Sequence, residues 1–383
     1  MKLSSDDLPM FFGESHAALA ERLRGVRSQF EAIEQPGAHP DEHARDRAAA
    51  AALGSTGLLE LAVPATAIDT RGLCLARELL GYVSPRADSI FAVQGLGTHA
   101  IVLAGSAAQR AQLTGFASGA RIAAFALTEP DAGSDVAAIA TRAVPAGGGY
   151  RLDGEKLFIS NLGIADHATV IASTAPDRGA SGLTAFWIPL DAPGVTITPM
   201  TAIAAHPIGA LSLRGLTVDE SARIGAEGQG MKLAMQTLDA FRVSVGAAAV
   251  GMARRALDEA TAFVCGRRQF GKPLADQPMV QGHLADMAVD LDAARLLVLR
   301  AAYRKDTIGG KVTTEVSIAK LGATEAASRV IDRAVQLFGG RGVMAGAVVE
   351  QLYRAIRPLR IYEGTSEIQR TIIGRAIVQG ATS

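Results

Sequence analysis

Phe125-Ala126-Leu127-Thr128-Glu129-Pro130-Asp131-Ala132-Gly133-Ser134-Asp135, with Tyr150-Arg151-Leu152-Asp153-Gly154 and Lys156-Leu157-Phe158-Ile159-Ser160 beyond it, is where the chain changes its period. Upstream, from Glu14 to about Gly119, apolar residues such as Ala18, Leu19, Leu23 and Val26 recur at helical spacing among strong helix formers. Pro64 and the stretch 68–72 interrupt that pattern, and Gly95, Gly97 and Gly105 mark a second, looser helical region. Downstream, short apolar runs at 168–172, 183–190, 195–198 and 211–218 are separated by Gly, Pro, Asp and Ser, which predicts a compact β sandwich or barrel. Asp153-Gly154 supplies the φ > 0 positions of a two-residue hairpin turn. From Gly230 the helical period returns in segments long enough to bundle, as in Leu284, Met287, Leu291, Ala294 and Val298. The expected architecture is α+β in three parts: helical over 1–119, β over 120–229, and a helical bundle over 230–383.

The chain has 383 residues, 49% hydrophobic and 20% charged, enough apolar material for a large core and too much for a disordered chain. Lys+Arg and Asp+Glu are equal at 38 each, so no summed field draws a polyanion, and a nucleic-acid partner is not expected. An anionic ligand must be met locally. Cys74 and Cys265 are too few for a disulfide framework or a Cys-rich zinc site and suit a reducing compartment. Asp6 and Asp7 stand where a secretory leader would carry positive charge, so a cytoplasmic location is expected. The apolar run 245–253 ends at Arg254 and Arg255, short of the ~18 residues of a membrane span, so no membrane association is expected. No Gly-x-Gly-x-x-Gly follows a predicted strand, no phosphate loop ends in Gly-Lys-Ser/Thr, and no Gly-x-Ser-x-Gly elbow is present. The seven histidines show no metal-ligand spacing, and no metal site is expected.

Three segments stand apart from scaffold. In 125–135, Pro130, Gly133, Ser134 and Asp135 expose N–H groups and hydroxyls suited to a polar cofactor edge or a phosphate; the same composition also describes a surface turn. Arg267-Arg268-Gln269-Phe270-Gly271-Lys272-Pro273 and Gln336-Leu337-Phe338-Gly339-Gly340-Arg341-Gly342 pair an anion-binding arginine with glycines that admit a close ligand, or else are glycine C-caps with a basic flank. In Arg360-Ile361-Tyr362-Glu363-Gly364-Thr365-Ser366-Glu367-Ile368-Gln369, a strained loop opens a helix at Thr365 or Ser366. A carboxylate held there among apolar neighbours has a raised pKa and can act as a base; paired with Arg360 in solvent, it has no such role.

Together these motifs resemble the acyl-CoA dehydrogenases over nearly the whole chain, most strongly over 125–160 and 242–377 and least before about Leu53. The resemblance implies an N-terminal helical domain, a middle β-barrel and a C-terminal four-helix bundle, assembled as a homo-oligomeric dimer of dimers. It implies FAD, with Phe125, Leu127, Thr128, Gly133, Ser134, Phe158, Ile159 and Ser160 along the flavin. Arg267, Phe270, Gln336, Leu337, Gly339 and Gly340 would meet the FAD of a neighbouring subunit, and Thr365 and Glu367 its pyrophosphate or adenosine end. Glu363 matches the catalytic base. Leu238, Asp239, Arg242, Tyr362 and Gly364, with Ser134, match positions along the acyl-CoA, Arg242 supporting either Glu363 or the CoA.

The implied reaction is α,β-dehydrogenation of an acyl-CoA thioester to the trans-2-enoyl-CoA, with electrons passed to an electron-transfer flavoprotein. Glu363 takes the α-proton while its N–H and a flavin hydroxyl meet the enolate oxygen, and the β-hydrogen leaves as hydride to flavin N5. Phe158 replaces the family's common Trp and Ser160 its Thr; Gln277-Pro278 replaces a frequent Phe-Gln pair. The stretch 204–209, Ala-Ala-His-Pro-Ile-Gly, departs from the common pattern, and the Gly-rich loop after Val63-Pro64 is missing, which points to a short, branched or cyclic acyl group. Same-fold alternatives are an acyl-carrier-protein dehydrogenase, an acyl-CoA oxidase, and a monooxygenase, which would not need Glu363. A non-catalytic DNA-binding flavoprotein would use the basic row Arg354, Arg357 and Arg360, against the balanced overall charge.

Overall fold

The computed structural model describes residues 1–310 and 312–382. The chain packs as two compact units, neither contiguous in sequence: Met1–Glu31, Asp69–Asp88 and Arg242–Ser383 form one, Ala32–Ile68 and Ser89–Phe241 the other.

The second unit holds the sheet. Its strands are β1 (Ala123–Ala126), β2 (Arg142–Ala146), β3 (Gly149–Ser160), β4 (His167–Ser173), β5 (Leu183–Pro189), β6 (Val195–Pro199), β7 (Ile208–Asp219) and β8 (Arg223–Ile224). They run in the order β6-β7-β3-β2-β4-β5-β8, with β1 added parallel to β4. The long strands β3 and β7 pair antiparallel from Gly149↔Asp219 to Ser160↔Ile208 and form the backbone of the sheet. The core of the sheet takes in Leu152, Ile159, Val170, Phe186, Ile188, Leu211 and Leu213; β3 and β7 alternate buried and more exposed residues, whereas β4 and β5 are buried almost throughout.

The apolar runs of the sequence coincide with β4 to β7 within a few residues, but the hairpin lies elsewhere than expected. The two-residue turn is Gly147-Gly148, with φ of 60° and 86°, between Ala146 and its partner Gly149. Asp153-Gly154 lies inside β3, where the β7 register shifts between Leu152 and Gly154. A Cβ on Gly154 would stand 2.4 Å from Thr141 Oγ1 and 2.7 Å from Thr141 Cα, so the glycine there admits a neighbouring chain and makes a bulge. Gly95 and Gly97, expected to loosen the N-terminal helices, are contacts: Gly95 packs under the Phe241 ring and Gly97 against Ala123 and Ala124, inside a continuous helix Pro85–Ala104.

That helix is long and apolar enough by length and composition to cross a membrane, so the expectation drawn from run lengths alone is too strong. Its most apolar window is 72% buried within the fold, which accounts for its composition.

The first unit is helical. The part of the helix Gly230–Gly266 from Arg242 onward and the helices Pro278–Tyr303, Thr313–Phe338 and Ser366–Thr382 are its longest in the C-terminal part, joined there by Val348–Ile356, and Thr70–Val83 packs with them. Their core is built from small side chains, among them Ala248, Ala294, Ala302, Ala319, Ala323 and Ala327, with Met287, Val298, Val330 and Ile331 between them. Small residues let helix axes approach closely, which explains the alanine richness of the chain.

Candidate active site

In the helical unit, the segment Tyr362-Glu363-Gly364-Thr365 turns sharply before the helix Ser366–Thr382. Glu363 adopts φ 53° and Gly364 φ 90°, the strained loop expected from the sequence. Thr365 caps the helix, its Oγ1 accepting from the Ile368 N–H at 3.3 Å. Three side chains from three places in the sequence hold the turn through its carbonyls. Arg242 Nε donates to Glu363 O at 3.1 Å, Lys320 Nζ donates to Gly364 O at 2.7 Å, and Gln369 Nε2 donates to both, at 3.3 and 3.0 Å. A Cβ on Gly364 would stand 2.5 Å from Gln369 Nε2, so the turn admits only glycine there.

The carboxylate is treated differently from its main chain. Glu363 Oε2 is buried and accepts no hydrogen bond. Burial pushes the Glu363 carboxyl above its ordinary range, while Arg77, Arg242 and Lys320 pull it back down. Arg360, the partner that would have made Glu363 an ordinary surface residue, is engaged elsewhere: its Nε meets Glu325 Oε1 at 3.0 Å, and Ser366 Oγ donates to the same oxygen at 2.6 Å.

Arg77 is wholly buried, bonded through Nε and Nη2 to both oxygens of Asp88 at 2.8 Å and through Nη1 to Ser244 Oγ at 3.0 Å. It also contacts Tyr362, whose hydroxyl burial makes harder to ionise. Sequence reasoning missed Arg77, Lys320 and the role of Gln369. One signal was available for Lys320: it lies on the stripe Val316, Lys320, Thr324, the two flanking residues being buried at helical spacing.

Two exposed turns occupy one end of this unit. Arg267 and Phe270 follow the helix Gly230–Gly266, and Gln336, Leu337, Gly339 and Gly340 end the helix Thr313–Phe338. Phe263 and Phe338 stack with centroids 4.3 Å apart and bring the two turns together. Phe270 is 92% exposed at φ 51°, and Gly339 and Gly340 face open space where a Cβ would stand. Glu367 is exposed on the first turn of the last helix.

In the sheet unit, 125–134 and 158–160 lie side by side: Leu157 N–H donates to Thr128 O at 2.9 Å and Lys156 Nζ to Leu127 O at 3.1 Å. Lys156 also pairs with Glu129 at 2.8 Å, and Glu129 accepts from the Ala140 and Thr141 N–H groups at 2.6 and 3.0 Å. Glu129, the acidic residue of the Thr-Glu-Pro motif, therefore ties the motif to the sheet. Around this anchor Thr128 and Ser160 are half-buried, Gly133 and Ser134 exposed, and Leu127 and Ile159 buried. Phe158 is 58% exposed at φ 57°, a strained backbone presenting an aromatic face. Ser160 Oγ lies 3.3 Å from His206 Nε2, in the stretch that departs from the common pattern. Leu238 and Asp239 are half-buried near the start of the helix Gly230–Gly266 and belong to this unit, whereas Arg242 belongs to the helical one.

Each unit by itself carries features that suit part of a flavin dinucleotide: in the sheet unit, hydroxyls and the exposed Phe158 ring on strained backbone suit a flat ring system, and in the helical unit an arginine beside open glycine turns suits a phosphate-bearing group. Among the described residues no group of three or more His, Cys, Asp or Glu side chains is placed to hold a metal ion. Two arginines of the basic row are paired within the chain, Arg354 with Glu350 and Arg360 with Glu325.

Residues 124–216 match the family described as acyl-CoA dehydrogenase, middle domain, and residues 228–378 the acyl-CoA dehydrogenase, C-terminal domain. The chain is 36% identical over 375 residues to the probable acyl-CoA dehydrogenase FadE25 of Mycobacterium tuberculosis, covering 96% of each chain. It is 36% identical over 351 residues to the mitochondrial short-chain specific acyl-CoA dehydrogenase of Mus musculus, covering 89% of this chain and 85% of that one. Among solved structures it superposes on a glutaryl-coenzyme A dehydrogenase in complex with glutaryl-CoA with a TM-score of 0.89 at 29% identity, covering 96% of both chains. A glutaryl-CoA dehydrogenase of Mycobacterium smegmatis in complex with FADH2 gives 0.85 at 27% identity, covering 98% of this chain and 97% of that one. The α+β fold, the strained glutamate turn and this likeness along the chain agree: the protein belongs to the acyl-CoA dehydrogenase family of flavoprotein oxidoreductases.

Proposed function

We propose that this chain dehydrogenates an acyl-CoA thioester at the α,β bond to the trans-2-enoyl-CoA, with Glu363 as the α-proton base and FAD as cofactor. The observation that carries the reading is the Glu363 carboxylate: Oε2 is buried without a partner while the carbonyls of its own turn are held by Arg242, Lys320 and Gln369. A thioester α-proton is weakly acidic, so a base that has shed water and kept a raised pKa is suited to take it. The strained turn presents the Glu363 N–H to the developing enolate oxygen. Arg242, bonded to the carbonyl of the same residue, keeps carboxylate and N–H in register.

FAD, when bound, supplies the acceptor for the β-hydrogen as hydride, chemistry that no side chain provides. Thr128, Ser134, Phe158 and Ser160, with the apolar Phe125, Leu127 and Ile159, would hold its flavin. Arg267, Phe270 and Gln336 to Gly340 would hold the FAD of a neighbouring subunit in a dimer of dimers, a reading supported by their exposure at one end of the helical unit. Thr365 and Glu367 would meet the pyrophosphate or adenosine end, and Leu238, Asp239, Tyr362 and Gly364 the acyl-CoA. The segments 1–119, 120–229 and 230–383 are proposed as the helical, β-barrel and bundle domains. An electron-transfer flavoprotein as acceptor, a cytoplasmic location, and a short, branched or cyclic acyl group complete the proposal. The short-chain name of the mouse relative favours that acyl class.

Glu363→Gln keeps the shape of the side chain and removes the proton acceptor. Anaerobic bleaching of the flavin by butyryl-CoA is expected to fall by ~10²–10⁴ or more while the visible spectrum and ligand binding persist. A variant that bleaches at the wild-type rate would move the base elsewhere. The chromophore released from the purified protein is expected to have the mass of FAD; FMN, or no flavin after reconstitution, would remove the reading.

A further inference from the structure

We infer that Lys320 is a positioning residue for the base: its buried ammonium, reaching Gly364 O from the helix Thr313–Phe338, locks the Glu363–Gly364 turn and places a positive charge beside the carboxylate without capping Oε2. The inference rests on Glu363 being the base.

Lys320 is fully buried, and its ammonium bonds a backbone carbonyl at 2.7 Å instead of a carboxylate. A buried lysine is normally neutralised by an acid at contact distance, because an isolated ammonium is costly to desolvate. Here the charge is balanced over a longer range: Glu363, Glu325 and Glu367 pull the Lys320 pKa up, while burial and Arg242 pull it down, to about 8. At neutral pH Lys320 therefore remains an ammonium.

The groups that face Glu363 come from four helices and its own turn. Arg77 lies on Thr70–Val83, Asp88 on Pro85–Ala104, Arg242 on Gly230–Gly266, Lys320 on Thr313–Phe338, and Tyr362 precedes it. Arg77 is bonded through two nitrogens to Asp88, whose charge opposes part of its field at Glu363. Arg242 gives its Nε to the Glu363 carbonyl. Lys320 adds a cation that lowers the Glu363 carboxyl while its own bond goes to the next carbonyl of the turn. A direct ion pair would lower the basicity of Glu363 too far and cover the oxygen that must reach the substrate. A cation tethered to the next carbonyl keeps the carboxylate ionised and leaves it open.

Two substitutions separate charge from anchorage. Lys320→Gln keeps a donor for Gly364 O and loses the charge, whereas Lys320→Met loses both. In the flavin-loaded enzyme, anaerobic bleaching by butyryl-CoA is measured as a function of pH, with the flavin absorbance and thermal midpoint as controls. For Lys320→Gln the limb that reports the base is expected to move to higher pH by about one unit, so the rate falls about tenfold below the limb and recovers above it. Lys320→Met should lose rate at every pH, because the turn is no longer held. A Lys320→Gln profile superimposable on wild type overturns the inference. A second test leaves Lys320 in place. The infrared carboxylate band of Glu363, isolated as the difference from Glu363→Gln, is expected to shift as Lys320 titrates near pH 8, and a band that does not respond there also overturns it. Full activity in Glu363→Gln would sink the base reading. An inactive Glu363→Gln beside an unshifted Lys320→Gln sinks only the role of Lys320.

Discussion

Each unit of the molecule buries a lysine under a glycine-rich or strained turn, and the two are used in opposite ways. Lys156, 1% exposed, sits under the Thr128–Glu129 segment and closes on Glu129 at 2.8 Å; both remaining demands of that carboxylate are met by the Ala140 and Thr141 N–H groups. Lys320, 0% exposed, sits under the Glu363–Gly364 turn and bonds a carbonyl, leaving Glu363 Oε2 without a partner. A satisfied buried pair fixes a loop. An unsatisfied carboxylate held nearby is a reservoir of basicity, and the difference in partner distinguishes scaffold from chemistry.

The largest effect that would break this contrast is on activity: Glu363→Gln is expected to abolish bleaching by ~10²-fold or more, and Glu129→Gln to leave the chemical step close to wild type where the protein folds. On stability the order reverses. Lys156→Met strands a buried carboxylate and should destabilise by ~3–5 kcal/mol in chemical denaturation, partly recovered by Lys156→Met with Glu129→Leu. Glu363→Gln should leave the thermal midpoint equal to wild type or higher, since it removes a carboxylate whose ionisation burial opposes. A loss as large as that of Lys156→Met would place Glu363 in a structural network and end the contrast.

The pH dependence has matching signs. Lys156 and the two N–H groups hold the Glu129 carboxyl below its ordinary value of 4.5, so its contribution is present at neutral pH and fades as pH falls below about 4.5 through the depressed pKa. Glu129→Gln should flatten the acid limb of the thermal midpoint in that window. The Glu363 carboxyl is raised, so its unfavourable contribution grows as pH climbs from about 4.5 towards the folded pKa. Glu363→Gln should therefore gain on wild type above that value and match it below. Differential scanning calorimetry from acid to neutral pH reads both limbs.

The smallest effect concerns two glycines, one in β3 and one in the turn before it. Gly154→Ala drives a methyl against Thr141 and should cost about 2 kcal/mol or more. Gly148→Asn, in a turn with open space and a left-handed backbone that asparagine tolerates, should cost less than about 1 kcal/mol. Equal losses at the two would return the hairpin to Asp153-Gly154.

What was legible in one dimension was what local chemistry determines. The change from 3.6-residue to 2-residue periodicity marked where strands begin, Thr365 announced a helix start, and Glu363-Gly364 announced a strained turn, because period, capping and φ > 0 depend on residues adjacent in the chain. The hairpin was misassigned because Asp-Gly and Gly-Gly have similar local preferences; the choice fell to the approach of Thr141, which sequence spacing does not reveal. The environment of Glu363 was decided in the same way. Arg77, Arg242, Lys320 and Gln369 converge on residues 362–364 from four separate helices, and whether a carboxylate is paired or left unpaired depends on which of them arrives and on which atom each meets. The sequence determined that a glutamate would stand on a strained turn. Only tertiary packing decided that Arg360 would bond Glu325, that the three donors would take the carbonyls of the turn, and that Oε2 would remain buried and unbonded, because desolvation and charge are summed over neighbours in space.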